Sequence, residues 1–210
     1  MTANISLRSL AFLSVLLSST ISANGATLVT FDDLSSTPIG ESFDNYQGLH
    51  WEGFSARNSV LLTSKIGPTG NSYGMVSPSN IVFNEYGEAD IVDRTGTNFN
   101  FLSVYLTGAA ESNLNILVAG LRNGVFVYNN VVIASATNAT LFTFNYLNID
   151  DVRLACLGGQ NAGFPPPYGN SQSFVMDNLT FEFVPEPSTL LLTAAGALAL
   201  LAFHRRRQKR

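Results

Sequence analysis

Three sets of side chains in this 210-residue chain have types and spacings that could do chemistry. The first is acidic: Asp32 and Asp33 close an opening strand-like run, and Asp177 lies within the last one. Ca²⁺ takes roughly six to eight oxygen ligands, which Asp, Asn and loop carbonyls supply without a fixed motif. These three carboxylates could hold a structural calcium, with Asp90/Asp93 and Asp150/Asp151 as lesser sets. Turns also favour Asp for purely backbone reasons, which is the plainer account of all of them. The second set is aromatic. Tyr46, His50, Trp51 and Phe54 fall close together, and Phe164-Pro165-Pro166-Pro167-Tyr168 is a stiff loop ending in a ring. Exposed rings stack on the C–H faces of sugars, and a rigid loop lowers the entropic cost of binding. Trp51 and Tyr168 are therefore the candidate ligand residues, with a core position the alternative for Trp51. The third set is Glu52 with Glu85 or Glu88, the kind of pair a glycoside hydrolase places across a cleft. No motif singles that pair out. The expectation is a protein that is not an enzyme, with a secreted polysaccharide-acting hydrolase as the alternative.

Other chemistries lack material. Cys156 is the sole cysteine, so no intramolecular disulfide forms, and it shares a strand face with Val152 and Leu154, as a buried structural thiol would. His50 is the only histidine before the C-terminal tail, which leaves little for a zinc site or a serine-type triad. Between Asn24 and Val184 there are five basic and fourteen acidic residues, a net of −9 that the full-chain value of −4 conceals. With no basic patch to neutralise phosphates, nucleic acid is not an expected partner.

The elements that must position these residues are strands. Thr27, Val29 and Phe31 alternate, and Phe99, Phe101 and Val104 lie in an apolar run ending at Leu106. Leu114–Leu121 and Val125–Ile133 are separated by Arg122-Asn123-Gly124, and Asn-Gly tolerates the positive φ of a type I′ hairpin turn. Leu141–Tyr146, Val152–Leu157 and Phe174–Phe183 follow, with Leu179, Phe181 and Phe183 on one face of the last. No long helical period and no repeat interrupts them, and clusters such as Gly67-Pro68-Thr69-Gly70-Asn71-Ser72 punctuate the gaps. The fold class expected is all-β: an antiparallel β-sandwich, jelly-roll-like, over residues 24–184, in which first and last strands often neighbour each other.

Both ends read as addresses. Residues 1–23 have a secretory signal-peptide layout, with Arg8 ahead of the short apolar run Leu10–Leu17 and Ala23 as the cleavage position, so the Sec export machinery is an expected partner. At the other end, Pro185 and Pro187 cannot continue a ladder, so the domain should stop by Val184. Ser188 is a fitting helix N-cap, and Leu190–Phe203 is apolar all round. That core alone rises roughly 21 Å against a hydrocarbon thickness of roughly 30 Å. A transmembrane helix over 188–204 closes most of the gap if Arg205 and Arg206 snorkel. The basic tail, Arg205, Arg206, Arg207, Lys209 and Arg210, then stays cytoplasmic and the domain lies across the membrane.

Val184-Pro185-Glu186-Pro187-Ser188, followed by that apolar run and the Arg cluster, resembles the PEP-CTERM sorting signal of exopolysaccharide-producing Gram-negative bacteria. The same segment is also labelled an ice-binding-protein C-terminal domain. A flat array of regularly spaced Thr, which ice binding would need, is not evident in the sequence. A sortase signal has the same three-part layout but needs a Leu-Pro-any-Thr-Gly core that is missing here. The resemblance covers 184–210. It implies Val184, Pro185, Glu186 and Pro187 as the sorting motif and an exosortase-type membrane protease as partner. It also implies an inner-membrane-anchored precursor that passes to the cell surface or extracellular matrix. The domain is similar, more diffusely, to the sandwich ahead of many such tails, through Phe31-Asp32-Asp33-Leu34, Tyr46-Gln47-Gly48-Leu49-His50-Trp51 with Phe54, and Phe174–Phe181. That likeness implies a binding or structural role, with extracellular polysaccharide as the ligand class.

Overall fold

The computed structural model describes residues 25–85, 87–164 and 172–185, with Gly196, Leu198 and His204 besides. Residues 1–23, Tyr168, Glu186, Pro187 and the basic tail 205–210 lie outside the described residues, as does nearly all of the segment 188–204. Among the described residues no helix is long and apolar enough to cross a membrane.

The described chain is an antiparallel two-sheet sandwich. One sheet runs β11 (Thr140–Ile149), β8 (Phe99–Gly108), β13 (Phe174–Phe183), β6 (Asn80–Asn84), β5 (Phe54–Asn58), β2 (Glu41–Ser42), with β1 (Thr27–Val29) also on β13. The other runs β10 (Val125–Ala134), β9 (Glu111–Arg122), β12 (Asp151–Asn161), β7 (Glu88–Val92), β4 (Leu49–Glu52), β3 (Asn45–Tyr46). First and last strands do pair, Val29 opposite Leu179 and Thr27 opposite Phe181. β13 meets β8 along one edge and shares its other edge between β6 and β1.

Side-chain alternation fills the space between the sheets. Phe99, Phe101, Val104 and Leu106 of β8 meet Leu114, Ile116 and Val118 of β9 and Val152 and Leu154 of β12. β13 contributes Phe174 and Met176, then Leu179 and Phe181, a set that would change faces halfway in a regular strand. Asn178, at φ 48°, absorbs the extra residue where the register with β8 shifts, so both halves point inward. The expected hairpin is present: Val125 pairs with Arg122, and Asn123 and Gly124 have φ 52° and 73°.

Two short helices, α1 (Ser59–Ile66) and α2 (Gly70–Tyr73), cover the outer face of the seven-stranded sheet. Asn58 caps α1 by accepting from Leu61 N at 2.9 Å. α2 lies so close to the Gly108–Ala109 backbone that a Cβ on Gly70 would stand 1.9 Å from the Gly108 carbonyl. Beneath this cover sits a second small core, Ile81, Ala109 and Val175 with Met75 and Phe83 against it.

Candidate functional site

The structure places the three candidate metal carboxylates against protein donors. Asp177 is fully buried under the segment that follows α2. Its Oδ2 accepts from Val76 N at 2.6 Å and Ser77 N at 2.8 Å, and its Oδ1 from Asn178 N at 2.7 Å and Ser77 Oγ at 3.0 Å. Burial pushes its carboxyl up to about 6, against the pull of those N–H groups. Asp32 accepts from Asn80 N at 3.1 Å, and Asn80 in turn donates to the Phe31 and Ser35 carbonyls. Asp33 accepts from the Tyr46 hydroxyl at 2.5 Å, whose phenol burial, with Asp33 beside it, pushes up to about 12. The three thus staple neighbouring loops, and among the described residues no three His, Cys, Asp or Glu side chains meet where a metal ion could sit. Asp90 is taken by Arg153 at 3.0 Å, and Asp93 by Thr95 and by Asn98 N. Asp151 is raised to about 6 by burial and then by the Asp90 charge.

Trp51 requires a correction. It is 2% exposed and packs at 5.5 Å from Phe31, 5.6 Å from Phe43 and 5.3 Å from Phe54, so it offers no face to a sugar. Its indole N–H donates to the Tyr46 carbonyl at 3.0 Å, which satisfies the one polar atom such a ring must bury. Cys156 lies half-buried against the core, and burial pushes its thiol up to about 11. The carboxylates considered for hydrolysis lie around Gly53, whose carbonyl accepts from Glu85 N at 2.8 Å, with Glu88 on β7 beside β4, and Glu52 and Glu85 each engage protein partners. Glu52, on β4, engages Arg94 and His50; Glu85, just past β6 of the other sheet, accepts from the Ser42 hydroxyl at 2.8 Å and from Ser55.

A different group of side chains surrounds an open space. β9 and β12 slip register between Cys156 and Gly158 and again between Gly158 and Gln160, with Asn113 at φ 50° and Gly158 at φ 103°. Over these slips, with the strands still paired at Gln160–Ser112 and Asn161–Glu111, lies a shallow cleft of about 410 Å³ lined by Asn113, Asn115, Leu157, Gly158, Gly159 and Gln160. Gly159 must be glycine, since a Cβ there would stand 2.9 Å from Leu114 Cα and 3.0 Å from the Ser112 carbonyl. Asn115 Nδ2 donates to the Gly158 carbonyl at 3.1 Å, which fixes the amide's orientation. Asn113 reaches Gln160 Oε1 at 3.4 Å. Three amides beside a largely exposed Leu157 supply both donors and acceptors around an apolar spot. The Gly158-Gly159 pair inside an apolar run is the sequence signal that could have pointed here, because glycine in a strand marks a bulge.

The sorting segment begins where the fold ends. The Val184 N–H donates to the Asn98 carbonyl at 3.1 Å, directly after β13, and the chain then leaves the domain at Pro185. Residues 183–207 match the model of the PEP-CTERM protein-sorting motif. A search of curated proteins finds no match. Among solved structures, the K2 cleaved adhesin domain of Lys-gingipain aligns with a TM-score of 0.42 at 9% identity, over 76% of this chain and 98% of that one. A family 89 glycoside hydrolase from Clostridium perfringens aligns with a TM-score of 0.32 at 10% identity, over 51% of this chain and 12% of that one. The M60 catalytic domain with two CBM51 domains of Clostridium perfringens ZmpB aligns with a TM-score of 0.31 at 11% identity, over 78% and 15%. The chain thus spans a small part of either Clostridium protein, and likenesses this distant carry nothing about activity. The motif implies export, a membrane-anchored precursor and processing by an exosortase, a membrane protein. The chain carries a PEP-CTERM protein-sorting motif at residues 183–207.

Proposed function

We propose that the sandwich is a non-catalytic binding module for extracellular polysaccharide, carried to the cell surface or matrix by its sorting tail. The observation that carries this reading is the shallow cleft over the register slips of β9 and β12. Its amides at Asn113, Asn115 and Gln160 match the paired donors and acceptors of sugar hydroxyls, and Leu157 matches an apolar ring face. The net −9 of the domain favours neutral over anionic polymers. A glycan array on the purified full chain tests it. Asn115→Ala and Gln160→Ala should each weaken the captured glycan about tenfold, the equivalent of one hydrogen bond of roughly 1.4 kcal/mol. No captured glycan, or capture indifferent to both substitutions, would refute the cleft as the site. Release of reducing ends from the bound polysaccharide would move the protein to the hydrolase alternative. The sorting half is tested by deleting residues 205–210: surface display should fall, and unchanged display would show the basic tail to be dispensable.

A further inference from the structure

Just past the polar Asn123-Gly124 turn, the tip of the β9–β10 hairpin carries three exposed apolar residues. Val125, Phe126 and Val127 are 63%, 57% and 44% exposed, and Leu147 beside them is 50% exposed. The tip is held stiffly. Asn123 N donates to Asp150 Oδ2 at 2.6 Å, and the Arg122 guanidinium donates to the Leu147 carbonyl at 3.0 Å and to that of Asn148. It also lies at the end of the sandwich from which the sorting segment leaves. Val184 is bonded to the Asn98 carbonyl, Asn98 Nδ2 donates to Asn148 Oδ1 at 2.8 Å, and Asn148 accepts from Arg122.

The length of chain beyond the fold says what meets this end. Only Pro185, Glu186, Pro187 and Ser188 separate the last bonded residue from the apolar run Thr189–Phe203. Four extended residues reach at most about 13 Å. The headgroup layer on each side of the hydrocarbon is itself roughly 5–8 Å deep. While the precursor is anchored, this end of the domain cannot stand clear of the bilayer surface.

We propose that the β9–β10 tip is a second membrane contact: Val125, Phe126 and Val127 enter the headgroup–acyl boundary of the bilayer that holds the tail. This rests on the tail anchoring the precursor. Apolar side chains on a rigid projection partition to that boundary, roughly 5–10 Å deep. Arg122, flanking them, keeps a positive charge beside the tip while it donates to the Leu147 and Asn148 carbonyls, and Asp150 has one oxygen already occupied by the Asn123 N–H. The rest of the acidic domain is repelled by anionic headgroups, which keeps the contact confined to the tip.

The test is the full chain reconstituted in vesicles of phosphatidylethanolamine with a minor share of phosphatidylglycerol. Phe126→Trp reports the tip. Ile133→Trp, 59% exposed on the same strand and about 23 Å farther along it, is the control. The buried Trp51 supplies a constant background that the parent chain corrects. The tip indole should shift to the blue and be quenched by lipids brominated near the glycerol, while the control stays red and is quenched by aqueous iodide. Equal iodide quenching at both positions in chains that float with the vesicles overturns the tip contact but leaves the anchor standing. A blue shift at the tip without quenching by brominated lipid would mean a second copy of the chain covers it, and also overturns the proposal. Chains that fail to float overturn the anchor, and this contact with it.

Discussion

Replacing Trp51 separates a ring that holds the sandwich together from one that holds a sugar. The indole is enclosed by Phe31, Phe43 and Phe54 at ring distances of 5.3–5.6 Å, and its N–H satisfies the Tyr46 carbonyl at 3.0 Å. Truncating a buried aromatic to alanine costs about 3–5 kcal/mol in lost transfer energy and residual cavity. Orphaning the Tyr46 carbonyl adds about 1 kcal/mol. Trp51→Ala should therefore lose about 4–6 kcal/mol, a large share of the roughly 5–15 kcal/mol that a domain of this kind has in total. At about 2–4 °C per kcal/mol for this size, the melting temperature falls by roughly 10–20 °C. Trp51→Phe keeps a ring in the cluster but loses the N–H and part of the buried surface, so it should cost only about 1–3 kcal/mol. Circular dichroism melts of the full chain in mild detergent give the stability, and a glycan-binding isotherm gives the function. A graded loss of melting temperature, with glycan affinity unchanged in the Phe variant, fits a core residue. A Phe variant that melts like the parent yet loses its glycan would refute the reasoning, because the indole would then have to face the ligand.

The pH dependence of stability follows from the buried acids. Asp151 and Asp177 are pushed up to about 6, chiefly by burial, and titrate near 4 when unfolded. Between those limits the native state binds more protons, so their contribution is full below about pH 4 and is lost as pH rises through about 6. At Asp93, burial is outweighed by hydrogen bonds from Thr95 and Asn98 that hold it low; its stabilisation is lost only as pH falls below that window. Calorimetric melts should thus show a higher transition at about pH 5 than at about pH 7, and the reverse order would contradict the assignment. Cys156, pushed up to about 11 by burial, should resist iodoacetamide at neutral pH in the folded chain and react fully once unfolded, as read by mass spectrometry. Rapid labelling of the native protein would refute that burial. Added calcium should leave the melting temperature unchanged, since Asp177 is filled by Val76, Ser77 and Asn178 and Asp33 is engaged by Tyr46. A calcium-dependent rise would show a site that this geometry does not form.

What could be read from the sequence was whatever is decided locally or by face alternation. Asn123-Gly124 needs two positive φ angles in a row, so its hairpin was legible, and so was the second half of β13, where Leu179, Phe181 and Phe183 alternate. The β1–β13 pairing was expected from sandwich topology, yet the carboxylates near it do not converge. The bulge at Asn178 fixes which side chains of β13 face inward, and Asp177 lies on the opposite side, beneath the segment after α2. α1 and α2 were hidden because eight and four residues are too short to show a helical period, and the stretch Gly67–Ser72 reads as turn material. The cleft was hidden for another reason. It arises from slippage between β9 and β12, whose facing residues such as Asn115 and Gly158 are over forty positions apart; Gly158-Gly159 marks a bulge, but the partner side chains that line the cleft come from the other strand. Trp51 lies on a strand too short for periodicity to assign its face.

β13 occupies the middle of the larger sheet, with β8 on one flank and β6 and β1 on the other. An exported chain threads across the membrane from its N-terminus, so this central stave arrives last, with the apolar tail close behind it. Until it seats, β8 and β6 have no partner between them and the core lacks Phe174, Met176, Leu179 and Phe181. Completion of the core therefore waits on the strand that directly adjoins the matched sorting motif. Pro185 comes one residue after the Val184 N–H that donates to the Asn98 carbonyl, so the segment read for sorting adjoins a strand at the middle of the larger sheet.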